Sequence, residues 1–188
     1  MNKFFSIVMF STIVAIAGCG KKSDCTTSNC LNGGTCVDGK CECPIGFTGD
    51  CSQEKVPTSM TISKFVCTKF PGKNNGVLWD NLSGGKAPDI YITFSKNGAS
   101  SNLLKTNYYS DADTAKYYGF QTTAPIAVAS PTEQHDIFMF DDDTPNGEEI
   151  MDFVSFIPYQ AGKKFPTQYT IISESKAISI DVYCTYTW

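Results

Sequence analysis

The sequence contains no arginine, one histidine and two tryptophans. Without arginine there is no bidentate clamp for phosphate, and a net charge of −4 leaves no basic face for nucleic acid. No nucleic-acid partner is expected. After residue 16 no apolar run is long enough for a transmembrane helix. No Gly-x-Ser-x-Gly, Walker or zinc-protease pattern occurs. His135 adjoins Asp136, but neighbours on a strand point to opposite faces, so the pair makes a poor base and orienter. A glycosidase needs only two well-spaced carboxylates, and nothing singles out such a pair. A non-enzyme is expected.

What the chain does have is nine cysteines in three groups. Cys19 stands alone after a basic start, Met1-Asn2-Lys3, and a short apolar core, Phe4 to Ile16, the pattern of a secretory signal peptide. The residues Ile16-Ala17-Gly18-Cys19 resemble the lipobox of bacterial lipoproteins. The resemblance implies a signal peptide over 1–18, a lipid on Cys19 and a tether over 19–24. It also implies an outer-membrane lipoprotein on the periplasmic or cell-surface side. Each buried CH₂ of a lipid contributes about 0.8 kcal/mol, so two or more chains hold a protein stably on a membrane. The alternative is an ordinary signal peptide with a chance cysteine. Export leaves eight cysteines in an oxidising compartment, where disulfides are favoured over metal thiolates.

Six cysteines crowd into residues 25–51 with the spacing C-x4-C-x5-C-x4-C-x-C-x7-C. Gly33-Gly34 lets the chain turn tightly, Asp38-Gly39 is a two-residue hairpin turn, and Gly46-Phe47-Thr48-Gly49 forms a second loop. Spacing alone allows fifteen pairings. The run resembles an EGF-like domain with the short central loop of tenascin-type repeats. That resemblance implies Cys25–Cys36, Cys30–Cys41 and Cys43–Cys51. Only Asp24 precedes Cys25, unlike calcium-binding members, so this module is expected to be a rigid spacer held by its disulfides.

Residues 52–58 read as a linker. From residue 59 to 188 alternation replaces helical periodicity. Ile178, Ile180, Val182, Cys184, Tyr186 and Trp188 share one face of the last strand. Other expected strands are Met60–Lys69, Ile90–Ser95, Leu103–Tyr109, Ile126–Ala129, His135–Phe140, Ile150–Ile157 and Tyr169–Ser173. The fold expected is all-β: the disulfide-rich module plus an eight-stranded antiparallel sandwich. Cys67 and Cys184 fall on its first and last strands and are expected to form a disulfide between them.

Two connections are acidic. One runs from Leu78 through Asp80 and Gly84-Gly85 to Asp89-Ile90-Tyr91; the other runs from Phe140 through Asp141-Asp142-Asp143 to Glu148-Glu149-Ile150. Calcium takes six to eight oxygens at about 2.3–2.6 Å, so carboxylates converging from loops are what it needs. These residues resemble a C2 domain, a sandwich whose loops at one end bind calcium. The resemblance implies Asp80, Asp89, Asp141, Asp143 and Glu149 as ligands, with Ser110 to Asp113 joining them from a third loop. The first loop is longer than the family's, and Glu149 replaces an aspartate. Asp142 and Glu148 add like charge that a cation would relieve. The other reading makes these acids solvated loop tips.

The function expected is a membrane-anchored interaction or adhesion module that holds an unknown protein or glycan. The alternative is a carbohydrate-binding or hydrolytic sandwich with Trp79, Tyr108, Tyr109, Tyr117 and Tyr118 as a sugar platform.

Overall fold

In a computed structural model the chain is described over residues 25–26, 29–80, 87–144 and 147–188. The leader with Cys19, the Gly84-Gly85 insertion and Pro145-Asn146 lie outside these residues.

Two hairpins make the first module: β1 (Thr35–Val37) with β2 (Lys40–Glu42), and β3 (Phe47–Thr48) with β4 (Gln53–Glu54). Asp38 and Gly39 take φ of 49° and 76° in the first turn, the left-handed pair that Asp-Gly supplies without strain. The six cysteines join as Cys25–Cys36, Cys30–Cys41 and Cys43–Cys51. Gly34 lies so close to the last bridge that a Cβ would sit 2.4 Å from Cys51 Sγ, which excludes any side chain there.

The remaining strands are β5 (Ser59–Lys69), β6 (Lys73–Asn74), β7 (Val77–Leu78), β8 (Ile90–Lys96), β9 (Leu104–Lys105), β10 (Tyr118–Val128), β11 (His135–Asp142), β12 (Glu148–Phe156), β13 (Gln168–Ile172) and β14 (Ser179–Thr187). Eight of them form two four-stranded antiparallel sheets, ordered β10-β5-β14-β13 and β12-β11-β8-β9. Strand β10 starts eight residues before the expected Ile126, and the expected strand from Leu103 shrinks to β9 and one bridge from Tyr109 to Ile90. The unexpected hairpin β6–β7 turns on Asn75-Gly76, a left-handed pair with φ of 51° and 90°.

Inward residues of both sheets make one core. Phe65 of β5 meets Phe94 of β8 with ring centres 5.5 Å apart. Full burial of such a side chain contributes about 1.5–3 kcal/mol. The alternation on β5 shifts phase, from Met60 and Ile62 to Phe65 and Cys67, because a bulge interrupts its pairing with β14 there.

The Cys67–Cys184 bridge is not formed. Both thiols are buried and free. First and last strands of the sandwich are neighbours, but Cys67 lies opposite Ile180 and Cys184 opposite Ile62. Four residues of strand separate the two thiols along the ladder, about 13 Å, where a disulfide tolerates no more than about 7 Å between Cα atoms. Each thiol donates to a nearby carbonyl instead, Cys67 to Lys69 and Cys184 to Pro166.

The stretch read as a linker is built into the fold. Gln53 and Glu54 pair back onto Phe47 and Thr48, and Thr58 N–H donates to Thr187 O. Glu54 carboxylate oxygens accept from Tyr159 Oη at 3.1 Å, Gly162 N at 3.0 Å and Lys164 N at 2.9 Å. Trp188 Nε1 donates to Lys55 O, and Phe47 packs edge-on against Phe165. Gly46 sits beneath that aromatic group, where a Cβ would come within 2.6 Å of both Phe165 and Trp188.

Candidate metal centre

Antiparallel succession puts the connections after β5, β9, β11 and β13 at one end of the sandwich, opposite the Glu54 junction. Hydrogen bonds lace three of them together. Asp142 N donates to Asp89 O, Ala112 N to Pro88 O and Asp111 N to Asp89 Oδ1.

Asp80, Asp141 and Asp143 each direct a carboxylate oxygen to a common point, with these atoms all within 4.8 Å of one another. Asp80 and Asp141 are buried and Asp143 is half-buried. Strand β11 continues as far as Asp142, and its alternation turns Asp141 inward after Ile137 and Met139. Asp141 Oδ1 accepts from Asp89 N at 2.7 Å, while Oδ2 is buried without a hydrogen-bond partner. Burial, and then the charges of Asp80, Asp143 and Asp89, push the Asp141 carboxyl up to about 6. Burial also raises Asp89, opposed by its bond from Asp111 N and reinforced by the charges of Asp80, Asp111 and Asp142. An orphaned buried oxygen among repelling carboxylates, all hard oxygen donors, is a setting that suits calcium.

The other expected residues fall differently. Asp89 joins the group through its backbone N–H and its charge, with one carboxylate oxygen bonded to Asp111 N. Glu149 lies across the ladder from Asp141 but is exposed and outside the converging set. Glu148 is drawn to Lys105 Nζ at 2.6 Å, which lowers its carboxyl below the usual range. Asp142 accepts from Thr144 N, and Asp113 from Ala115 N, each closing its own turn. Asp111 tethers the third loop through its backbone.

His135 packs in the core, stacked on Phe94 at 5.4 Å, and its Nδ1 lies 3.0 Å from Glu133 O. Asp136 accepts from Ser155 Oγ, so the adjacent pair does not interact. The expected sugar platform does not assemble. Trp79 is buried and donates to Pro71 O, whereas Tyr109 tilts against Tyr118 and Phe120. The aromatic file that sequence reasoning missed lies on the outer face of the second sheet, where Tyr91 stacks on Phe140 and Phe138 on Phe153. Alternation on β8 and β11 holds its signal, since both strands carry apolar residues at consecutive positions, which marks two covered faces.

Residues 25–50 match the family model of the EGF-like domain. A stretch of 53 residues is 40% identical to the protocadherin-like wing polarity protein stan of Drosophila melanogaster, covering 26% of this chain and 2% of that protein. A stretch of 45 residues is 49% identical to cadherin EGF LAG seven-pass G-type receptor 2 of Homo sapiens, covering 21% of this chain and 2% of that protein. The chain thus spans about 2% of the length of these curated relatives. Among solved structures, a C2 domain is similar at a TM-score of 0.47 and 11% identity, over 69% of this chain and 98% of that one. The chain is an EGF-like module followed by a C2-like β-sandwich.

Proposed function

We propose that this protein is a non-enzymatic surface module, anchored to a bacterial outer membrane by lipid on Cys19, whose sandwich loops hold calcium while it engages a protein or glycan partner. The observation that carries the calcium reading is Asp141. Its carboxylate is buried, one oxygen has no partner, and carboxylates of Asp80 and Asp143 converge on it. A buried group left unsatisfied costs about 1–3 kcal/mol, more for a charge, and a cation removes that cost. Asp80, Asp141 and Asp143 supply the ligands at the centre, with Asp89 adding charge beside them. The anchoring rests on the leader and its Ile16-Ala17-Gly18-Cys19 run. The EGF-like module then acts as a stiff spacer between the tether and the sandwich.

The test is a thermal melt of the full mature chain in EDTA and in calcium. Ligand that binds the native state alone must raise its stability. The midpoint is expected to rise with calcium in the wild type and to respond much less in Asp141→Asn. An unchanged wild-type midpoint up to millimolar calcium overturns the metal reading. Globomycin-sensitive processing and mass spectrometry of the N-terminal peptide test the lipid on Cys19, and an unmodified cysteine there overturns the anchor.

A further inference from the structure

The two sheets end at β12 and β13 on one side of the sandwich, and the gap between these edge strands is a cleft of about 340 Å³. It lies toward the Glu54 junction, away from the acidic loops, since Lys164 both borders the cleft and donates its N–H to Glu54. Tyr169, Thr170 and Ile171 of β13 border it as consecutive residues. Side chains alternate along a strand, so three in a row can border one cleft only where the strand presents its edge. Strand β13 pairs with β14 alone, which leaves its other edge of N–H and C=O groups without a strand partner. Beneath the edge the floor is apolar, with Phe156 buried and Tyr169 and Tyr186 half-buried. At the mouth, Lys163 and Lys164 are exposed, and neither ammonium forms an ion pair among the described residues.

We propose that this cleft docks an extended, apolar segment of a partner protein, which adds a strand to β13 and sets an acidic residue against Lys163 and Lys164. A free strand edge offers donors and acceptors in the spacing of another backbone, which an acyl chain cannot use. The apolar floor takes alternate side chains of the added strand. The unpaired lysines, in a chain of net charge −4, select a negative end. This surface is independent of the acidic loops and of calcium.

The experiment uses the full mature chain and two acetylated, amidated octapeptides of alternating valine and threonine, one led by two aspartates and the other by two lysines. Amide exchange over residues 168–172 and fluorescence titration are measured together. The aspartate-led peptide is expected to slow exchange of the β13 amides that do not pair with β14, and to bind roughly tenfold tighter than its lysine-led counterpart. Lys163→Glu/Lys164→Glu, at exposed positions, is expected to fold normally and to invert that preference. Thr170→Pro is expected to abolish binding by blocking the edge; if it fails to fold, the double lysine variant still decides. No slowing of β13 exchange at millimolar peptide, or equal binding of the two peptides, overturns the proposal. So does occupation of the cleft by decanoate without peptide binding, or self-association of the chain that the lysine variant abolishes.

Discussion

Asp141 sits where a strand that should end in apolar residues ends in a carboxylate, and its protonation reports on the whole acidic end. Its folded-state carboxyl is raised to about 6 from an ordinary 3.8. Between those values the folded chain keeps a proton that the unfolded chain has lost, so the contribution of this group to stability falls as pH rises through that window. Asparagine carries no such penalty. In EDTA, Asp141→Asn is therefore expected to melt near the wild type at about pH 4 and above it at pH 7, with a gap of roughly 2–4 °C per kcal/mol for a domain of this size. A gap that stays constant from pH 4 to 7 would refute this. The two free thiols make a second residue-scale case. Burial pushes the Cys67 thiol up to about 12 and raises Cys184 as well. Neither is expected to react with a thiol reagent in the native protein, and both should react after denaturation without reductant.

At the scale of elements, local signals were legible and register was not. Six spaced cysteines, Asp38-Gly39 and the period-two runs from Met60, Ile90, His135 and Ile178 are written within a few residues of one another, and the structure forms elements there. The cysteine bridge failed because it depends on alignment between strands over a hundred residues apart in sequence, and bulges near Ser63 and Thr68 reset that alignment. The phase shift from Ile62 to Phe65 is the trace of one bulge in the sequence. Glu149 fell out of the site for a related reason: facing Asp141 across a ladder fixes its neighbour, not the reach of its longer side chain. The Glu54 contacts with Gly162 and Lys164 have no sequence signal, since a lone glutamate in a polar stretch looks solvated. One hairpin-scale prediction follows from Gly34. Gly34→Ala places a methyl against Cys51 Sγ, so oxidative refolding should leave Cys43 and Cys51 partly reduced, as counted by alkylation and mass spectrometry.

For the whole molecule, the junction decides whether spacer and sandwich move as one body. Glu54 satisfies three donors from the 159–164 loop, and charge-assisted bonds of this kind contribute about 1.5–3 kcal/mol each before competition with water. Glu54→Ala is expected to lower the melting midpoint of the sandwich and to speed tryptic cleavage after Lys55, with the EGF-like disulfides intact. Gly46→Ala should do the same through a clash with Phe165 and Trp188, worsened by its φ of 91°. Unchanged cleavage in both variants would show that the modules hold together by other contacts.

Strand β5 spans eleven residues, runs from that junction toward the acidic end, and is hydrogen-bonded on both sides, to β10 and to β14. A pull between residue 58 and whatever grips the acidic loops therefore acts along β5 rather than across it. Both ladders must shear together instead of unzipping one bond at a time, so the sandwich is braced against tension in the direction in which a tethered surface protein would feel it.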